Sequence, residues 1–221
     1  MARLPVNEDF FKAWSPEMAY VLGFFCADGA MTINPRGSKY IDFCITDGDL
    51  LLKIKKCFDA KQSIIRKDPV RGKAIYRLQI GSKVIFNDLT LLGLTPKKTF
   101  RFEMPPIPNL FLSHFVRGYF DGDGNVWSGM IHKERKTPTT ALRTVFTSGN
   151  KKFLEQLACI LKERIGVSGF FTATGGASQL VYSIRPSLSL YRFMYTDIEN
   201  NLFLNRKKAV FEKYISNAAV V

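Results

Sequence analysis

The sequence predicts an α+β protein of two pseudo-symmetric halves, each in the order α-β-β-α-β-β-α. Antiparallel strands form a saddle, and the first helices of the two halves pack together at the centre. Three observations carry this expectation. Val21-Leu22-Gly23-Phe24-Phe25-Cys26-Ala27-Asp28-Gly29 and Val116-Arg117-Gly118-Tyr119-Phe120-Asp121-Gly122-Asp123-Gly124 agree at five of nine positions. The alternation of helical and strand patterns that follows the first segment recurs after the second. Between them lies a stretch with three of the ten prolines, Pro105, Pro106 and Pro108. The expected halves are residues 1–98 and 110–221, joined by a linker at 99–109.

Ser15-Pro16-Glu17 opens the first helix with a capping hydroxyl, a proline suited to the first turn and an acid near the positive helix end. That helix runs into the segment ending at Gly29. Alternation then predicts strands at 31–33 and 39–46, joined by the turn Asn34-Pro35-Arg36-Gly37. Leu51, Leu52, Ile54 and Phe58 give helical spacing over 49–60. Strands at 63–67 and 74–81 flank a basic turn with Arg71 and Lys73, and a helix follows at 83–92. In the second half the motif helix precedes strands at 125–130 and 141–147, a helix at 151–165, strands at 169–174 and 179–185, and helices from 188 onward. The stretch from Asp123 to Thr147 is longer than that from Asp28 to Thr46. Its extra length is a basic loop at 131–140 carrying Lys133, Arg135 and Lys136.

Glycine within a helix costs about 1 kcal/mol relative to alanine, so Gly23 and Gly118 require a compensating contact. With Ala27 and Gly122 they place small residues four apart on one stripe, where two helix backbones can touch. If the two helices pack on each other, their C-terminal ends meet and bring Asp28 and Asp123 side by side. Helix C-termini already carry partial negative charge, so paired carboxylates there imply a divalent cation. A single helix-end Asp-Gly reads more simply as a cap; the duplication reverses that preference. Asp121-x-Asp123-x-Asn125 opens like a calcium loop, but Val126 stands where that loop needs glycine and His132 where it needs glutamate. A dinucleotide-type glycine pattern fails at Trp127, and no Walker-type phosphate loop occurs.

Lysine and arginine number 32 against 19 acids, a formal charge of +13. That balance favours a polyanion, because each neutralised phosphate releases condensed counterions. An anionic membrane is the competing surface. The longest apolar run, 18–27, is too short to span one, and residues 1–9 are too polar for a signal peptide. Cys26, Cys44, Cys57 and Cys159 show no paired spacing, and His114 and His132 are the two histidines. This argues against structural zinc and for reduced thiols in an intracellular protein, in a prokaryotic cytoplasm or an organelle matrix. Tyr40, Asp42, Arg66, Tyr76, Arg77, Gln79, Arg143, Thr172, Tyr182 and Arg185 are the polar or amphipathic alternates of the strands. Singly each reads as a solvated strand position. As a set on a curved sheet they suit the major groove, where arginine reads guanine and glutamine reads adenine.

In its two segments the chain resembles the LAGLIDADG homing endonucleases, in the branch with two motif copies in one chain; 21–29 and 116–124 both fit the nine-residue motif in frame. The resemblance implies a monomer that embraces double-stranded DNA and cuts a long, imperfectly palindromic site across the minor groove, leaving 3′ overhangs, in the service of intron or intein mobility. It implies Asp28 and Asp123 as metal ligands, one for each strand, assisted by the carbonyls of Ala27 and Gly122. Two or three magnesium ions are expected, with manganese substituting and calcium binding without cleavage; an oxygen donor set suits magnesium better than zinc. Asp47 and Ser148 stand at strand ends where the family places a water-organising polar residue. The supporting base falls on Lys97 or Lys98 in the first half and on Arg206 or Lys207 in the second, with Lys98 and Lys207 the expected pair. Cys26 departs from the motif, since it stands where Asp121 does in the second copy. Two other functions share the scaffold: an intron maturase, which binds intron RNA as a splicing cofactor, and a DNA-binding regulator without catalysis. Retention of both acids argues against the latter.

Overall fold

The structure, a computed structural model, describes residues 4–96, 103–137, 139–196, 198 and 201–218. Helix α1 (Pro16–Asp28) begins where the Ser15 hydroxyl accepts from the Met18 amide at 3.1 Å, with Pro16 in the first turn. It leads through β1 (Gly29–Ile33), β2 (Lys39–Ile45), α2 (Gly48–Cys57), β3 (Ile65–Lys67) and β4 (Ile75–Gly81) to α3 (Lys83–Leu91). A 3-10 turn at Asn109–Phe111 opens α4 (Leu112–Asp123), followed by β5 (Gly124–Ile131), β6 (Thr139–Ser148) and α5 (Lys151–Ile165). The order closes with β7 (Phe170–Thr174), β8 (Ala177–Tyr182), α6 (Ile184–Tyr195) and α7 (Asn205–Ala218). The fold is α+β, with two antiparallel sheets of one topology, β1-β2-β4-β3 and β5-β6-β8-β7.

One face of each sheet carries the apolar alternates. Ile41, Phe43, Leu78 and Ile80 in the first and Leu142, Phe146 and Leu180 in the second are wholly buried. Strand register puts Thr32, Tyr40, Asp42, Cys44, Arg77 and Gln79 on the other face of the first sheet. In the second sheet Asn125, Trp127, Arg143, Val145, Thr147 and Gln179 take that face.

Helices α1 and α4 make the principal contact between the halves. A Cβ on Gly23 would lie 2.1 Å from the Phe115 carbonyl oxygen, and one on Gly118 would lie 2.0 Å from that of Tyr20. The obstacle in both cases is backbone, which cannot swing aside, so only glycine fits the crossing. A Cβ on Gly122 would meet the Ala27 Cβ at 2.3 Å. All four small residues of the stripe therefore lie at the contact, and close packing offsets the helix penalty of glycine.

Four residues expected on the open sheet faces, Arg185, Tyr182, Arg66 and Tyr76, are elsewhere. Arg185 is not on a strand: β8 stops at Tyr182, and Arg185 is exposed in the first turn of α6. Ser183 ahead of Pro186 is a helix start that the apparent alternation of 179–185 concealed. Tyr182 faces the core, because it stands opposite Thr144 on the side of Leu180; it is buried edge-on to Phe146 with ring centres 6.1 Å apart. Arg66 opposes Tyr76 on the helix side of the first sheet, where its guanidinium lies 6.0 Å from that ring and pairs with Asp68 at 2.9 Å.

Candidate active site and binding face

Asp28 and Asp123 are the last residues of α1 and α4, and the glycine after each turns at once into extended backbone. Each acid thus sits where a central helix becomes the first strand of its sheet. The side chain missing at Gly122 lets the helix ends close up: a Cβ there would strike Ala27 and stand 3.4 Å from Asp28 Oδ2. Both acids bear on the same neighbours, favouring the ammonium form of Lys207 and opposing ionisation of Tyr119. Among the described residues no cluster of three or more histidine, cysteine or acidic side chains could cage an ion alone.

Lys207 was expected to face the scissile region and instead turns inward. Only 5 % exposed, its Nζ donates to the carbonyls of Phe120 at 2.6 Å, Asp121 at 2.8 Å, Gly124 at 2.6 Å and, more loosely, Gly122 at 3.4 Å. The last turn of a helix leaves its carbonyls without partners, and one ammonium here serves that whole end. Burial pushes the amine down to about 8, against the pull of Asp121. Lys207 therefore supports the Asp123 turn and does not reach outward. Lys97 and Lys98 lie outside the described residues.

The extra motif acid, Asp121, is also structural. It accepts from Tyr20 Oη of α1 at 2.8 Å and from the Leu204 amide at 3.0 Å, tying both halves and the approach to α7 together. Burial raises its carboxyl to about 6, although Lys207 and Tyr20 oppose the shift. Its counterpart Cys26 is a buried thiol. Arg117, a charged residue inside the second motif, is wholly buried, donating to the carbonyls of Leu202 at 2.9 Å and Met194 at 2.8 Å.

Asp47 and Ser148 have unlike surroundings. Asp47 precedes α2 and accepts from Arg206 of α7, with Nε 3.1 Å from Oδ1 and Nη2 3.0 Å from Oδ2. Burial pushes this carboxyl up, and Arg206 more than reverses the effect, leaving it below its ordinary value. Asp28, Asp47, Gly122 and Arg206 line one cavity of about 390 Å³. Arg206, from the second half, thus completes the wall of the first half's site. Ser148 accepts from the Asn150 amide at 3.1 Å and holds the turn into α5.

Above the acids, Tyr40, Arg77, Gln79 and Arg143 lie on the open sheet faces. Arg71 and Lys73 are exposed between β3 and β4, as are Lys133, Arg135 and Lys136 between β5 and β6. Asp42 is only 5 % exposed although it faces outward, since neighbouring side chains close over it. Its Oδ1 accepts from Arg77 Nε at 2.7 Å and lies 2.5 Å from Nη2, and Gln79 Nε2 lies 3.1 and 3.2 Å from its two oxygens. Sequence reading missed Trp127, Phe170 and Gln179 on the second face. The first two are large apolar residues left 44 % and 52 % exposed. The available signal for Trp127 was its alternation with Asn125 along one strand; its pairing with Arg143 is visible in the structure alone.

No protein-family model matches the sequence, and no curated protein matches it. Solved structures do match. The LAGLIDADG meganuclease I-AabMI bound to uncleaved DNA superposes with a TM-score of 0.63 at 13% identity, covering 94% of this chain and 91% of that one. The I-SmaMI LAGLIDADG homing endonuclease bound to cleaved DNA gives 0.65 at 14% identity, covering 94% and 90%. The I-LtrWI LAGLIDADG homing endonuclease bound to target DNA gives 0.60 at 14% identity, covering 97% and 92%. At such identity the likeness establishes the shared fold.

Proposed function

We propose that this chain, which has the fold of the LAGLIDADG homing endonucleases, is a site-specific DNA endonuclease that works as a monomer on a long, imperfectly palindromic duplex. The observation that carries the reading is the pair of acids at the ends of two touching helices, beneath two open sheet faces flanked by exposed basic turns. The donor set fits a hard divalent ion: Asp28, Asp123 and the carbonyls of Ala27 and Gly122 offer oxygen alone, and Asp28 and Gly122 line the cavity of about 390 Å³. So few protein ligands suit magnesium, which keeps waters and takes phosphate oxygens. Bound there, it would make water nucleophilic and neutralise charge on the phosphate.

The protein's own groups do the remaining work. Gly23 and Gly118 let the helix ends converge. Lys207 fixes the carbonyls that end α4, and Asp47 with Arg206 forms a polar wall beside Asp28 that can order water. The sheets hold the duplex so that one acid serves each strand, with cleavage across the minor groove and 3′ overhangs.

The test is incubation of the protein with a plasmid library and magnesium, followed by sequencing of the ends. Double-strand breaks with 3′ overhangs at one long site are expected. Asp28→Asn or Asp123→Asn should abolish them while calcium-supported binding persists. Full cleavage by either variant, or equal affinity for RNA hairpins and duplex DNA at physiological salt, would overturn the reading and favour a maturase.

A further inference from the structure

Strand register lets the two open faces be compared position by position. Phe43 opposes Gly29 and Phe146 opposes Gly124, which fixes the match. Asp42 and its cross-strand partner Gln79 then correspond to Val145 and its partner Val181. Arg77, opposite Cys44, corresponds to Gln179, opposite Thr147. Where the first sheet has a buried acid gripping an arginine and a glutamine, the second has two valines, with Phe170 opposite Val181.

The grip of Asp42 decides what Arg77 can present. With Nε and Nη2 engaged by the carboxylate, the edge left for a ligand is the end-on fork of Nη1 and the outer Nη2 hydrogen. That fork matches the two acceptors of guanine in the major groove. Asp42 is too deep to meet a base itself, so it acts through Arg77. In the second sheet the place matching Asp42 offers half-buried Val145, with Val181 next to it and exposed Phe170 one strand further on, while Gln179, the counterpart of Arg77, is engaged by the Thr172 hydroxyl at 3.3 Å. Apolar surface recognises one base feature there, the C5-methyl of thymine.

We propose that the two half-sites are read by opposite chemistry at this matched place: guanine through Arg77 held by Asp42 in one, thymine through the apolar patch around Val145 in the other. Asp42 is a positioning residue. The inference rests on the chain being a duplex reader, as above.

The test is selection of bound duplexes from a randomised library by the wild type, Asp42→Asn, Arg77→Lys and Val145→Ser. The wild type should enrich guanine at one position and thymine at its symmetry mate. Asp42→Asn should reduce the guanine preference by about 5- to 150-fold, the range of one bidentate contact, and leave the thymine preference unchanged. Val145→Ser should do the converse. Arg77→Lys, which keeps the charge and loses the fork, should relax the same guanine if Asp42→Asn does not fold. Identical bases at the two matched positions would overturn the inference, as would an Asp42→Asn protein that melts earlier with every preference intact. Failure of the wild type to enrich any duplex would instead sink the endonuclease reading beneath it.

Discussion

Arg206 and Lys207 are neighbours in α7 with opposite surroundings, one paired across the surface to Asp47 and one buried on four carbonyls. A carboxyl held below its ordinary value in the folded state gives stability that is complete above that value and is lost as pH falls through the depressed one. Arg206→Ala should therefore cost about 0.2–1 kcal/mol at neutral pH, and the gap to wild type should shrink as pH falls below about 4; urea midpoints at the two pH values check this. Lys207→Met leaves buried acceptors without a donor and should cost about 1–3 kcal/mol. It should lower cleavage more than calcium-supported DNA binding, because the binding face is elsewhere. The sequence pointed to both residues as candidate bases but could not say which turned inward. Consecutive helical side chains point about 100° apart, and only the packing of α7 selects between them. Arg117 was opaque for the same reason, since its place in the motif says nothing of the carbonyls brought to it by residues far along the chain.

At the scale of elements, the α1–α4 crossing was the most legible feature. Small residues four apart have a steric meaning wherever helices meet, and the structure puts backbone oxygen about 2 Å from a Cβ at either glycine. Alanine is therefore enough to part the helices, so Gly23→Ala or Gly118→Ala should cost at least about 1–3 kcal/mol. That lowers the melting temperature by roughly 2–4 °C per kcal/mol and moves both acids; thermal unfolding with a cleavage assay decides it. Strand ends and faces were less legible. The pattern of 179–185 was read as strand to its end, so Arg185 was given to a sheet instead of to α6. Arg66, Tyr76 and Tyr182 were placed by polarity, whereas the face each occupies follows from cross-strand register, which no single strand encodes.

Over the whole molecule, a charge of +13 with exposed basic turns beside two open sheets predicts binding that weakens steeply with salt. The log-log slope should be about −0.9 per phosphate contact, and Lys133→Ala should weaken all duplexes alike and make the slope shallower by about one contact. Affinity measured from low to physiological salt checks both. This behaviour was readable from composition, and the twofold plan from the repeat; what neither conveyed was how unequal the halves are. Lys53 of α2 reaches the Asn201 carbonyl at 2.8 Å and lies 5.6 Å from the Phe203 ring, next to the Asp47–Arg206 pair. The segment after α6 therefore crosses onto the first half and walls its site. That crossing sets an order in time. A ribosome that has released residues up to 196 has already made both motif helices and both sheets, yet the arginine beside Asp28 and the lysine that ends α4 are still to come. The nascent protein at that point also lacks Leu202, Leu204 and Phe211 of the core, so the second motif helix and the proposed site are finished together, by the part of the chain made last.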